Sequence, residues 1–287
     1  MQFETGRTSR LGNREVNQDR SIVIESGEGL LLVLGDGLGG KPRGDLAAQT
    51  LIDSVSEALS LHPLPVENPK KFLYELVRRA HHDILMVGQE QTPPIAPGST
   101  AVICLVQNSK AVWAHVGDSR CYLFRDGIPL YRTQDHSYVE KLYQTGKISL
   151  KKTLDHPMRN YVTQCIGLNT QEPEIDISKV IDLKVGDVLL LCSDGFWEPL
   201  DDAQIGANLL EGHLNTSLNE LGHQAESLKY PHSDNTTAVA TRIISLQQPR
   251  VKEDTTLSPR KKKKNKLHTA ITDIEDALKA YEDEMKE

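Results

Sequence analysis

Two stretches of the sequence, 30–34 (Leu-Leu-Leu-Val-Leu) and 188–192 (Val-Leu-Leu-Leu-Cys), are apolar at every position, and each runs within two residues into an Asp-Gly pair. A strand with no polar face must be covered on both sides. Shorter β-branched or Leu-rich runs at 21–25, 101–107, 111–116, 121–125 and 238–244 read as further strands. Segments 44–61, 69–91, 137–144, 202–210 and 216–228 carry a helical period; in the first, Leu46, Ala47, Leu51, Val55, Ala58 and Leu59 fall on one stripe. Two strands precede the long helices and three follow them, so hairpins outnumber β-α-β units. The order points to an α+β fold with antiparallel sheets flanked by helices, most simply a sandwich.

Charge divides the 287-residue chain. Residues 250–266 carry a net +6 and residues 267–287 a net −5, which leaves −8 of the overall −7 on the rest. We therefore read residues 1–246 as one globular domain, 247–266 as a basic flexible linker and 267–287 as an amphipathic C-terminal helix. In that last segment Leu267, Ile271, Ile274, Leu278, Tyr281 and Met285 form a seam of heptad type, suited to docking on a partner protein, on a second copy of the chain or back on the domain. The acidic balance argues against nucleic acid as a general partner, and the 260–264 basic run is short and flanked by acid. No apolar stretch approaches the ~20 residues of a membrane span. Cys104, Cys121, Cys165 and Cys192 show no metal-type spacing and read as free thiols of a reducing cytoplasm.

The three Asp-Gly pairs differ in setting. Asp126-Gly127 separates two short apolar runs and reads as a hairpin turn. Asp36-Gly37 and Asp194-Gly195 stand at the ends of the buried strands, where a carboxylate is held rigidly and glycine lets another group approach. Asp19, Asp118 and Asp234 stand in similar settings, and Asp118 and Asp234 adjoin predicted strands, so antiparallel neighbours could bring these two to one sheet edge. Two carboxylates ~4 Å apart repel by roughly 4 kcal/mol at an effective dielectric of 20. A cluster of them needs cations, and oxygen-only donors favour Mg²⁺ or Mn²⁺ over zinc.

The ordered set Arg14-x-x-Asn17-Gln18-Asp19, Asp36-Gly37-Leu38-Gly39-Gly40, Gly98-Ser99-Thr100, Val116-Gly117-Asp118-Ser119-Arg120, Asp135-His136-Ser137, Ser193-Asp194-Gly195 and Asp234-Asn235 resembles the metal-dependent protein phosphatases, the type 2C Ser/Thr phosphatases, in their bacterial form. The resemblance spans about residues 3–245. It implies an α-β-β-α sandwich of two mostly antiparallel sheets with two Mn²⁺ or Mg²⁺ ions at one edge. By matching position, Asp36 would bridge both ions, Gly37 would offer its carbonyl oxygen, and Asp194 and Asp234 would complete one coordination shell. Asp118 with Asp194 matches a third ion site. Asp19, with Gln18 beside it, would hydrogen-bond waters on the ions, and Arg14 would hold the substrate phosphate. The implied activity is hydrolysis of phosphoprotein monoesters by direct attack of metal-bound hydroxide, in the cytoplasm, on substrates of a eukaryotic-like Ser/Thr kinase. A pseudophosphatase adaptor with the same fold is the alternative.

Three positions depart from the family. Leu38 stands where eukaryotic members have a histidine proposed as general acid, Gln18 replaces a carboxylate, and Lys41 follows the glycine pair where His is frequent. Other features take plainer readings. His81-His82 reads as a solvated or half-buried helix surface, His115 as a core or edge histidine, and Trp113 and Trp197 as packing residues. Residues 137–182 match the family's variable flap and read as irregular.

Overall fold

The computed structural model describes residues 1–246 except Pro42 and Asn169. The expected linker and helix over 247–287 lie outside the described residues. In chain order the elements are β1 (Gln2–Arg10), β2 (Arg20–Ser26), β3 (Gly29–Gly35), α1 (Gly44–Leu61), α2 (Pro69–Gln89), β4 (Ala101–Gln107), β5 (Lys110–Val116), β6 (Arg120–Arg125), β7 (Ile128–Arg132), α3 (Tyr138–Gln144), α4 (Leu150–Leu154), β8 (Asp176–Ile177), β9 (Ile181–Asp182), β10 (Val188–Cys192), α5 (Asp194–Trp197), α6 (Asp202–Leu210), α7 (Leu214–Lys229) and β11 (Thr236–Ser245).

The strands form two antiparallel sheets, one ordered β1-β11-β10-β6-β7 and the other β2-β3-β4-β5-β8, with β9 also pairing with β5. The alternation of side chains along a strand explains the unbroken apolar runs. In β3, Leu31 and Val33 pack beneath α1 and α2, while Leu30, Leu32 and Leu34 face the opposite sheet. In β10, Leu189 and Leu191 fill the space between the sheets, and Val188, Leu190 and Cys192 meet α6 and α7. Each such leucine is wholly buried, which contributes about 1.5–3 kcal/mol of transfer free energy. The described domain is thus the four-layer α-β-β-α sandwich that the resemblance implied.

The remaining differences from the sequence reading have local causes. Strand β1 escapes an apolar pattern because its inward positions are Gly6 and Thr8, held small by α7: a Cβ on Gly6 would sit 2.8 Å from the Asn215 backbone nitrogen. Segment 137–182 is not irregular throughout. It opens with α3, the helix expected over 137–144, capped by the Ser137 hydroxyl accepting from Glu140 N–H at 3.3 Å; α4 follows, and the segment returns as β8 and β9 against β5. Asp126 (φ 51°) and Gly127 (φ 72°) are both left-handed, as a tight hairpin turn between β6 and β7 requires. Among the described residues no helix is long and apolar enough to cross a membrane.

Candidate metal centre

Strand register brings the carboxylates together. Arg20 pairs with Gly35, so Asp19 and Asp36 leave β2 and β3 on the same edge. Ala101 pairs with Val116, which puts Thr100 beside Gly117 and Asp118. In the second sheet Cys192 pairs with both Ala238 and Arg120, so the chain ends carrying Asp194, Asp234 and Asp118 fall on the matching edge. The result is a cleft of about 810 Å³ whose lining includes Arg14, Gln18, Asp36, Gly37, Asp118, Asp194 and Asp234. Asp19 lies behind it, 2% exposed.

Backbone and hydroxyl contacts fix these groups. Asp36 N–H donates to Thr100 Oγ1 at 2.9 Å, and its carbonyl accepts from Thr100 N–H at 2.8 Å and Ser99 Oγ at 3.0 Å. Thr100 Oγ1 also lies 2.8 Å from Ser119 Oγ, which ties the β4 end to the turn after Asp118. Gly37 N–H donates to the Gln18 carbonyl at 3.3 Å, and a Cβ there would sit 2.3 Å from the carbonyl oxygen of Gly44, the first residue of α1. The Asp-Gly glycine is therefore a packing requirement. Ser193 Oγ donates to Asp19 Oδ2 at 2.8 Å and accepts from Thr237 N–H at 3.0 Å. Asn235 Oδ1 accepts from Gln18 N–H at 2.8 Å while its amide donates to the Leu11 carbonyl, also at 2.8 Å.

The electrostatics are those of a site short of positive charge. Burial, then repulsion from Asp19 and Asp194, drives the Asp36 carboxyl well above the ordinary range, and burial with Asp194 does the same to Asp118. Burial pushes Asp19 up to about 7 against the hydrogen bonds of Ser193 and Thr237, and burial and Asp234 push Asp194 up to about 6. Arg14 and Lys41 are the basic side chains of the lining among the described residues. Asp19 Oδ1 is buried without a hydrogen-bond partner. An orphaned carboxylate oxygen beside Asp36, Asp118 and Asp194, which have no basic ion-pair partner among the described residues, and Asp234, which has only Arg14, fits hard divalent cations, and the donor set is all oxygen. Arg14 Nη2 sits 2.6 Å from Asp234 Oδ2, with half of its side chain exposed to the cleft.

Other residues of the sequence blocks acquire reasons here. Arg120 forms a fork with Asp135 at 2.9 and 2.8 Å, both nearly buried, and its guanidinium lies 3.3 Å over the Trp197 ring. Trp197 Nε1 donates to the Asp118 carbonyl at 3.0 Å. Trp197 is thus more than packing: it braces the turn that presents Asp118. Thr100 and Ser193 stood in the sequence only as members of matched blocks, and Trp197 only as a packing residue; no bracing role was read for any of the three. His115 is a core histidine as expected, its Nε2 donating to the Gln134 carbonyl at 2.8 Å. His81 is not at the surface: it is 1% exposed, with Nδ1 accepting from Gly167 N–H at 3.1 Å, whereas His82 is exposed and meets Glu172. Its spacing from Val77 and Ile84 put it on the buried face of α2.

Comparison with known proteins follows the same lines. The Protein phosphatase 2C family pattern matches residues 6–229, ending just before Asp234. The serine/threonine phosphatase Stp of Listeria innocua is 29% identical over 203 residues, which is 69% of this chain and 79% of that protein. Among solved structures, serine/threonine phosphatase Stp1 from Staphylococcus aureus superposes with a TM-score of 0.76 at 28% identity, over 85% of this chain and 96% of that one. The catalytic domain of the serine/threonine protein phosphatase PstP in complex with two manganese ions superposes at 0.71 and 26% identity, over 85% and 99%. Sequence and architecture agree: the chain belongs to the protein phosphatase 2C family and is a serine/threonine phosphoprotein phosphatase.

Proposed function

We propose that the chain hydrolyses phosphoserine and phosphothreonine esters of cytoplasmic proteins with two Mn²⁺ or Mg²⁺ ions held by Asp36, the Gly37 carbonyl, Asp194 and Asp234. The observation that carries this reading is the convergence of four carboxylates from both sheets on one cleft, beside an arginine. When bound, divalent ions neutralise phosphate charge and make water a nucleophile near neutral pH. Asp19, held by Ser193 and near enough to Asp36 to repel it, keeps one carboxylate oxygen unpartnered, which suits a hydrogen bond from water on the ions. Asp118, braced by Trp197, supplies a further carboxylate for a third ion. Arg14 stands at the cleft mouth, where its fork can take phosphate oxygens in exchange for Asp234. Leu38 offers no proton to the leaving serine or threonine, so that proton must come from elsewhere in the cleft. Substrates of a eukaryotic-like Ser/Thr kinase suit this chemistry, and the 267–287 seam suits recruitment of a partner. Every carboxylate of the matched set is present, which favours an enzyme over an adaptor.

Hydrolysis of a phosphothreonine peptide by chelator-stripped protein should be negligible and should return with Mn²⁺ or Mg²⁺. Undiminished turnover after stripping would refute the proposal. Replacing Arg14 by Ala should raise KM about tenfold or more with a smaller change in kcat, since a charge-assisted hydrogen bond is worth ~1.5–3 kcal/mol. Steady-state kinetics over a wide substrate range checks this, and an unchanged KM would place Arg14 outside phosphate binding.

A further inference from the structure

Behind the Asp118 turn lies a second group of potential ligands that the phosphatase chemistry does not use. Antiparallel pairing of β5 with β8 sets Asp176 opposite His115, and the loop entering α3 lays His136 against the His115 ring, with centroids 4.7 Å apart. One ligand atom from each of His115, His136 and Asp176 lies within 4.8 Å of the other two. The group grades from the buried His115 through His136, 11% exposed, to Asp176, 52% exposed, so an ion has a path in from solvent. None of the three lines the carboxylate cleft.

The donor chemistry differs from that of the cleft. Because His115 donates its Nε2–H to the Gln134 carbonyl, its Nδ1 keeps a free lone pair; a ring nitrogen anchored on a carbonyl is the usual arrangement of a metal-binding histidine. Burial, then the neighbouring His136, holds this ring below the ordinary histidine range, in its neutral form. His136 Nε2 and Asp176 Oδ2 are 3.3 Å apart, which is long for a charge-assisted hydrogen bond. Two ligands at ~2.0–2.1 Å on a tetrahedral ion stand about 3.3–3.4 Å apart, so the pair is spaced for an ion between them.

We propose that His115, His136 and Asp176 form a binding site for a borderline transition ion of the zinc type, separate from the oxygen-lined centre and coupled to it. Two imidazoles and a carboxylate suit such an ion, where Mg²⁺ prefers oxygen alone. The coupling runs through Gly117. Its N–H points at His136 Nδ1 at 3.3 Å, and its carbonyl accepts from His136 N–H at 2.9 Å. An ion that takes the His136 Nε2 lone pair moves the ring proton to Nδ1, where it confronts the Gly117 N–H. The turn before Asp118 must then shift.

The test uses the full chain carrying Asp36→Asn and Asp194→Asn, which disables the carboxylate centre, titrated with Zn²⁺ and with Co²⁺. One zinc ion per chain should bind, Co²⁺ should show the visible absorption of a four-coordinate, nitrogen-ligated ion, and the Gly117 amide resonance should move on zinc addition. Adding Asp176→Ala should weaken zinc binding at least about tenfold, and adding His115→Gln should abolish the cobalt spectrum. Asp176 is exposed, so its variant stays informative even if His115→Gln disturbs the core. No zinc binding, or binding that both substitutions leave unchanged, overturns the site; a Gly117 resonance that stays in place overturns the coupling.

Discussion

Asp36→Asn should reduce phosphopeptide turnover at saturating Mn²⁺ by roughly a thousandfold or more, while raising the melting temperature of the metal-free protein. The loss follows from the proposed role of Asp36 as a charged ligand of the divalent ions, which would contribute several kcal/mol to transition-state stabilisation at about 1.4 kcal/mol per tenfold. The gain follows because the carboxylate is buried among Asp19, Asp194, Asp118 and Asp234, and a neutral isostere relieves that repulsion. The scaffold survives the change, since the Asp36 contacts to Thr100 and Ser99 are made by its backbone. Kinetics and calorimetry with and without chelator test both halves. Near-normal turnover would remove Asp36 from the centre.

The second large effect concerns pH. The Asp19 and Asp194 carboxyls, ordinarily near 3.8, are raised to about 7 and about 6 in the folded, metal-free chain. Between those limits the folded state holds protons that the unfolded state has released. The stabilisation is therefore complete below pH ~4 and is lost as pH rises through about 6 to 7. Each raised carboxyl changes stability by about 1.4 kcal/mol for every tenfold change in its proton affinity, so the two together contribute on the order of a few kcal/mol. Urea unfolding in chelator should show this centre contributing more stability at pH 5 than at pH 7.5, and saturating Mn²⁺ should abolish the difference. Buried His115 and His81, held below the ordinary histidine range chiefly by burial, titrate in the opposite sense. The contrast between wild type and Asp19→Asn/Asp194→Asn isolates the carboxylates. If the double variant shows the same slope as wild type, the buried acids do not govern it.

What the sequence revealed depended on how much apolar side chain each element carries. Strands β3, β4 and β10 announce themselves because both faces are buried under other layers. Strand β1 does not, because α7 approaches it so closely that only Gly6 and Thr8 fit. Two-residue strands such as β8 and β9 have no period to detect. The carboxylates were legible as acidic ends of apolar strands, but their convergence depends on register, which no local pattern encodes. Thr100, Ser193 and Trp197 hold them through one or two hydrogen bonds each, and neither composition nor spacing says which group a hydroxyl or an indole will hold. His81 was legible and misread: its helical phase placed it in the core, and its polarity suggested the surface.

The pairing of the first strand with the last has a practical consequence for attaching anything to this domain. Gln2 lies opposite Ser245, so the two ends of the described chain leave side by side. They leave from the side of the sandwich opposite the cleft, because Asp234 precedes the other end of a ten-residue strand, about 30 Å away. A fluorophore attached at Gln2 or at Ser245 would thus start well clear of the mouth where Arg14 stands, and a phosphorylated protein could approach without meeting it. The same adjacency lets a short connector join Gln2 to Ser245 in a chain cut back to this domain, with new ends opened in an exposed loop.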